Sequence, residues 1–395
     1  MTDVQIKHLT DQEKIFDIFH WFPSYAFGPT PPLPNKEEKI EQIKERPDVL
    51  YYVLTENGKT AATAASNPMT QNVRGKIYPM GGLYDIITHP EYRRKGYCNK
   101  VVRALLNADR NNGKIFSTLY PFRESFYEKM GYITYQEPLK IKFKTATLAP
   151  ITKKNISGEV EMINIADNFQ IYLDYVKVIQ TDRHGMGFFD SHPTIGIKKR
   201  PSWLVIARNN DEIVGMMVYK LVGEEVTKLT LRATRFLYTK PEGRYLLLEW
   251  ISRHIDQASE AEIWLPSYEQ PNTWLSDLSV EISKVWLAPM GRVLDLPKIS
   301  GMKVGAGEFT AVITDPFCSW NEGVWKFENN GGELLVSQAD TPDCELSIQG
   351  LSALIYGTHD PEIFNIMGWG NPSLKIQEKM LKLFPPKTPY LYEYF

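Results

Sequence analysis

The chain has 395 residues, too many for one ordinary domain, so two or three are expected. Hydrophobic residues make up 43% and charged residues 23%, which allows a sizeable core. A formal net charge of −2 supplies no basic field to hold nucleic acid or an anionic membrane, so neither partner is expected. The opening MTDVQIKHLTDQEK lacks the apolar centre of a signal peptide, and no apolar run reaches the roughly 18 residues that span a bilayer. Cys98, Cys318 and Cys344 show neither disulfide nor metal-ligand spacing. A reducing cytoplasm and no metal are the expectations.

Thr10 and Glu13 have capping-box spacing ahead of Ile15, Phe16 and Ile18, which predicts a first helix. It should end in an aromatic, Pro-rich loop from Trp21 to Pro34 that contains no acid. A charged helix follows over Glu37 to Arg46, then strands at Val49 to Leu54 and Thr60 to Ser66, joined by the hairpin turn Asn57-Gly58. Gly81 to Thr88 reads as a strand with glycines at its start. The basic segment Arg93-Arg94-Lys95-Gly96 follows, then helical spacing at Val101, Val102, Leu105 and Leu106. Lys114 to Leu119 is a further strand, and Glu124 to Met130 a short helix closing at Gly131. This mixed α/β domain should end near Lys144, with a linker to Pro150.

The middle of the chain repeats the pattern weakly. Strands are predicted at Trp203 to Arg208, Ile213 to Leu221, Val226 to Leu231 and Glu262 to Leu265, with a helix over Glu242 to Ile255. Its counterpart of the basic loop, Lys240-Pro241-Glu242-Gly243-Arg244, would make a poor phosphate cradle. From about Pro289 a small α+β domain is expected, with strands at Glu308 to Ile313 and Gly323 to Phe327. Helices should follow at Leu346 to Tyr356, Pro361 to Met367 and Leu374 to Leu383. The aromatic end Tyr390-Leu391-Tyr392-Glu393-Tyr394-Phe395 should be buried.

The sharpest motif is Arg93-x-x-Gly96-x-Cys98, after a strand and at a helix start. Unpaired amides converge at such a turn and, with the helix dipole, bind a pyrophosphate. Gly96 lets the backbone approach closely. Arg93, Arg94 and Lys95 add positive charge. The second motif is Ser125-Phe126-Tyr127-Glu128-Lys129-Met130-Gly131-Tyr132, in which a Tyr phenol could protonate a leaving thiolate. Asp85 reads better as a buried hydrogen-bond partner than as a substrate contact, and Cys98 as a small packing residue.

Together these motifs resemble the GNAT acetyltransferase family, in which R/Q-x-x-G-x-G/A follows a bulged strand and F-Y-x-x-x-G-[FY] lies about 30 residues on. Residues 81 to 132 match in order and spacing, with Cys98 where Gly or Ala is usual. Leu119-Tyr120-Pro121-Phe122-Arg123, the degenerate second copy and the aromatic end resemble, more narrowly, the enhanced-intracellular-survival (Eis) acetyltransferases. That resemblance implies three domains: a catalytic GNAT domain over 1–148, a degenerate GNAT-like domain over 149–288 and a sterol-carrier-like α+β domain over 289–395. It implies direct acetyl transfer from acetyl-CoA to amines of small polyamine or aminoglycoside-like acceptors, and a homohexamer. Tyr127 falls on the family's catalytic Tyr, and Phe395, through the terminal carboxylate, on its proton acceptor. Its cofactor contacts fall on Ile86, Ile87 and Thr88, on Arg94, Lys95, Gly96, Tyr97, Cys98 and Asn99, and on Phe122 with Arg123. Two departures bear on the acceptor: the acid-free loop after Trp21, and Glu393 placed two residues before the end. The rival functions are a protein or peptide lysine acetyltransferase and an acetyl-CoA-sensing protein that binds a lipid.

Overall fold

The structure, a computed structural model, describes residues 3–28, 31, 35–191, 202–285 and 287–395. It divides into two compact units. Unit 1 holds 1–135, 183–193 and 288–395, and unit 2 holds 136–182 and 194–287.

Unit 1 is built on a mixed sheet. Its first strand, β1 (Val4–Leu9), leads into α1 (Gln12–Phe27) and α2 (Lys36–Lys44). β2 (Leu50–Glu56), β3 (Lys59–Val73) and β4 (Lys76–Thr88) follow as an antiparallel meander. α3 (Tyr97–Asn111) crosses to β5 (Phe116–Leu119), which pairs in parallel with β4. After α4 (Glu124–Glu128) comes β6 (Ile133–Thr134). The strand Met290–Val293, far along the chain, inserts between β5 and β6, giving the order β1-β2-β3-β4-β5-(290–293)-β6. Val101, Val102, Leu105 and Leu106 lie on one stripe of α3 and are fully buried against the sheet.

Several elements differ from the sequence reading. β1 was not expected. The cap of α1 is Asp11, whose carboxylate accepts from Lys14 N at 3.0 Å, instead of Thr10. The helix also runs six residues past Trp21, through Pro23, where a loop was expected. The Ser24 hydroxyl donates to the His20 carbonyl at 2.6 Å, satisfying an acceptor on the turn that the proline disturbs. Residues 29, 30 and 32–34 of the expected loop lie outside the described residues. β3 and β4 are far longer than expected and meet at the turn Arg74-Gly75, where both residues have positive φ.

The rest of unit 1 is a four-stranded sheet, ordered (333–338)-(323–330)-(308–314)-(344–347), with helices Ile348–Tyr356 and Leu374–Leu383 against it. The segment expected as a helix from Pro361 to Met367 is a 3-10 turn followed by one short helix, Phe364–Met367. This layer shares a continuous core with the first sheet. Arg74, at the β3–β4 turn, caps the helix Ile348–Tyr356 by donating to the carbonyls of Leu354 (2.9 Å) and Ile355 (2.6 Å), and it also donates to the Pro385 carbonyl (3.0 Å). His184 lies beside it, fully buried. Its Nδ1 accepts from Arg74 N, so its Nε2–H donates to the Tyr356 carbonyl, and burial keeps the ring neutral by lowering its pKa to about 3. On the strand Met290–Val293, Arg292 is wholly buried and pairs with Asp315. Its guanidinium also donates to the Met130 and Val293 carbonyls, so the buried charge is hydrogen-bonded on several sides.

Unit 2 repeats the plan. Its sheet runs (281–284)-(139–144)-(258–265)-(229–238)-(212–222)-(203–209)-(159–164). The strand Leu139–Lys144, read from sequence as the end of the first domain, belongs to this sheet. The linker expected up to Pro150 falls within a 3-10 segment, Thr145–Lys153, that buries Leu148 and Ile151. The helix Phe169–Asp182 was also unforeseen.

Candidate active site

β4 pairs one to one with β3 from Lys76 to Tyr84, then again at Ile87 and Thr88. Asp85 and Ile86 together face Ala64, which makes a bulge. Asp85 accordingly takes φ 48°, and Thr63 Oγ1 donates to its carbonyl at 2.9 Å. On its other side β4 pairs with β5 only from Met80 to Leu83. Beyond Leu119 the chain leaves for α4, so the two parallel strands part. Residues 84–88, including Ile86, Ile87 and Thr88, then present an edge with no strand partner on that side.

α3 begins beside this opening. Gly96 is its N-cap in the left-handed region (φ 75°), with no side-chain cap. The first helical bond runs from Lys100 N to Gly96 O at 3.2 Å, which leaves the preceding amides, through Asn99, without helical acceptors. A Cβ on Gly96 would meet nothing within 4 Å, so the space in front of this helix end is open. Arg94 also has positive φ (64°), as the turn requires. Lys95 turns back instead of facing the opening, and its ammonium sits 2.8 and 3.0 Å from the Glu56 carboxylate. Tyr97 is buried at the first helical position and bonds the same carboxylate. Cys98 is half-buried, and burial pushes its thiol up to about 12 against a hydrogen bond from Thr88, so it is a packing group and no nucleophile.

Tyr127, on α4, is 3% exposed. Burial raises its phenol above the usual range, and Cys98 and Tyr132 add to the effect, so it stays protonated at neutral pH. Its hydroxyl has no hydrogen-bond partner among the described residues. Phe122 packs its ring 5.8 Å from that of Tyr127 yet is largely exposed, and Arg123 is the exposed N-cap of α4.

The chain end comes to the same sheet. Leu391 and Tyr392 are buried, and the Tyr120 hydroxyl donates to the Glu393 carbonyl at 3.2 Å. Tyr394 stacks on Tyr120 at 5.2 Å, and the Phe395 ring lies edge-on to Tyr120 and Phe189. A Cβ on Gly82 would stand 3.0 Å from that ring, so the last residue rests on the middle of β4. This placement depends on Tyr120 and Phe189, which are far from the chain end in sequence.

A cavity of about 400 Å³ adjoins the bulge, between α1, α2 and β4. Phe16, Phe19, Tyr51 and Tyr84 line it, with Asp85, Lys39 and Arg46. Burial pushes the Asp85 carboxyl up to about 7, with Lys39 pulling the other way.

A family model for the acetyltransferase (GNAT) domain matches residues 5–134, which contain the bulge, the α3 end and Tyr127. The N-terminal domain is a GNAT acetyltransferase domain. A sterol carrier protein domain model matches residues 299–392. Among solved structures, a GCN5-related N-acetyltransferase from Anabaena variabilis is similar at 18% identity, with 99% of this chain and 100% of that one covered and a TM-score of 0.84. A probable N-acyltransferase from Enterococcus faecalis is similar at 19% identity, with both chains wholly covered and a TM-score of 0.83. Eis1 from Mycobacterium abscessus shares 16% identity over the whole of both chains, with a TM-score of 0.80. These likenesses show a shared fold: tandem GNAT-like domains and a sterol-carrier-like domain. A search of curated proteins finds no match.

GNAT domains use acetyl-CoA, and the local structure fits that group: an open helix end with free amides beside an unpaired strand edge. In unit 2 the strand Leu229–Tyr238 also parts from its parallel neighbour beyond Ala233, but the helix end beside it is different. That helix, Pro241–Ser252, begins on a proline, which has no amide to offer. Gly243 there packs on the neighbouring strand so tightly that a Cβ would stand 2.0 Å from the Val214 carbonyl oxygen. Among the described residues no group of three or more His, Cys, Asp or Glu is placed to hold a metal ion, and no helix is long and apolar enough to cross a membrane.

Proposed function

We propose that the GNAT domain transfers the acetyl group of acetyl-CoA directly to the amino group of a small acceptor, the class to which the Eis resemblance assigns polyamines and aminoglycosides. The observation that carries this reading is the parting of β4 and β5 beside the open end of α3, with the protonated Tyr127 buried near Cys98 at that end. Ile86, Ile87 and Thr88 would pair with the extended arm of the cofactor. The amides from Arg94 to Asn99 would hold its pyrophosphate, and Phe122 and Arg123 would contact it. The amine nitrogen attacks the thioester carbonyl, an N–C bond forms and the C–S bond breaks. Tyr127 gives its proton to the departing thiolate, and the carboxylate of Phe395, directly or through water, takes the proton lost by the amine. The contact of the Phe395 ring with Gly82 supports that role. The homohexamer implied by the resemblance and the cytoplasmic setting expected from the cysteine pattern belong to the same proposal.

Thiol release from acetyl-CoA, followed with small amines, lysine peptides or no acceptor, tests the reading. Release with small amines is the expected result. Release only with peptides favours the protein-modifying alternative, and tight binding without release favours the sensor. Tyr127→Phe should keep acetyl-CoA affinity and lose about 10²-fold in kcat. A single Gly added after Phe395 shifts the carboxylate by about 3.5 Å and should slow turnover with little change in melting temperature. An unchanged rate would remove the terminal carboxylate from the mechanism and turn attention to Asp85 or Glu393.

A further inference from the structure

The cavity beside the β4 bulge has a charge pattern that acetyl transfer by itself does not require. Two of its lining groups are fixed cations from the α2 region, Lys39 and Arg46. Neither has an ion-pair partner among the described residues. Arg46 Nη2 donates to Asn67 Oδ1 at 2.6 Å, and its guanidinium lies 5.0 Å from the Phe189 ring, which in turn touches Phe395. Its Nε is buried with no partner. His20 lines the same cavity, and its Nε2 is likewise buried without a partner. The structure thus leaves two buried polar nitrogens, one of them an obligate donor on Arg46, unsatisfied in one pocket, an arrangement that costs free energy unless a ligand completes it.

The acids do not balance these cations. Among the described residues Asp85 is the one carboxyl in the lining, and burial disfavours its charged form. A polycation entering here would meet Lys39 and Arg46 with little to offset the repulsion. An anion would meet a planar guanidinium able to donate more than one hydrogen bond, with an ammonium beside it. The walls of Phe16, Phe19 and Tyr51 suit the carbon skeleton of a small molecule, and about 400 Å³ bounds its size.

We infer that this pocket selects acceptor amines that also carry a carboxylate, held by Arg46 with help from Lys39. The inference rests on the acetyl-transfer reading and narrows its acceptor to amino-acid-like compounds, away from polycations.

Matched acceptors test it. Lysine and cadaverine differ only by a carboxylate, as do ornithine and putrescine. With the full chain and saturating acetyl-CoA, kcat/KM from thiol release should favour the carboxylated member of each pair by about 10-fold or more. Arg46→Gln should bring that ratio near one, mainly through KM, while leaving acetyl-CoA affinity unchanged. Arg46→Lys should restore part of the preference. Lys39→Gln changes an exposed residue and should lower the ratio by a smaller factor, which covers the case in which Arg46→Gln does not fold. Equal use of both members by the unaltered protein overturns the inference and leaves acetyl transfer standing, as does a preference that survives both Gln variants. No thiol release with any amine overturns both.

Discussion

Asp109 sits on α3 against Gly81, so close that a Cβ there would stand 2.4 Å from its Oδ2. It is fully buried, receives a hydrogen bond from Ser66 Oγ at 2.7 Å, and burial pushes its carboxyl up to about 7. The folded chain therefore holds a proton that the unfolded chain has already lost, from about pH 4 up to about pH 7. Stability from this group is full below the unfolded pKa and falls away as pH rises through the folded one. Asp109→Asn removes the titration and leaves an acceptor for Ser66. Between pH 5 and pH 8 the variant should gain about 2–3 kcal/mol on the unaltered protein in urea unfolding, since each pKa unit is worth about 1.4 kcal/mol. A gap that does not change with pH would show that the carboxyl is not held neutral. Asp85, the other carboxyl raised to about 7, is present in both proteins and cancels in the comparison.

In the proposed function the element that decides cofactor binding is the open end of α3. Gly96 has φ 75° with free space before it, so two effects of a substitution can be separated. Asn tolerates the left-handed region, whereas Glu strains it by about 1–2 kcal/mol and also sets a carboxylate before the helix amides. Gly96→Asn should retain most of the acetyl-CoA affinity, and Gly96→Glu should abolish it in a protein that still melts cooperatively. Equal affinity in both would remove the pyrophosphate from this turn. This end was legible in the sequence because its signals are local: a glycine, neighbouring basic residues and a following apolar stripe. The commitment of Lys95 to Glu56 was not, because the two lie 39 residues apart and meet only when β2 and α3 pack. β3 and β4 run through Pro68 and Pro79, which lie within the paired hairpin although proline donates no ladder hydrogen bond. The extension of α1 was hidden by Pro23.

At the scale of the whole chain, the tandem plan was readable from repeated strand and helix periodicity, but the ownership of strands was not. Met290–Val293 completes the sheet of unit 1 and Leu139–Lys144 belongs to that of unit 2, pairings that no local pattern encodes. The buried Arg292–Asp315 pair and the Arg74 cap on the helix Ile348–Tyr356 are likewise long-range, and they join the GNAT sheet to the C-terminal layer within one unit. That joining also brings Phe395 onto Gly82. The two GNAT-like copies differ at the helix end to which the proposed function assigns the cofactor. The end at Gly96 is open, whereas the end at Gly243 begins on Pro241 and packs on Val214. Calorimetric titration of the full chain with acetyl-CoA tests this account most directly. One molecule bound per chain, lost in Gly96→Glu, is the predicted result; two per chain, or one that persists in Gly96→Glu, would contradict it.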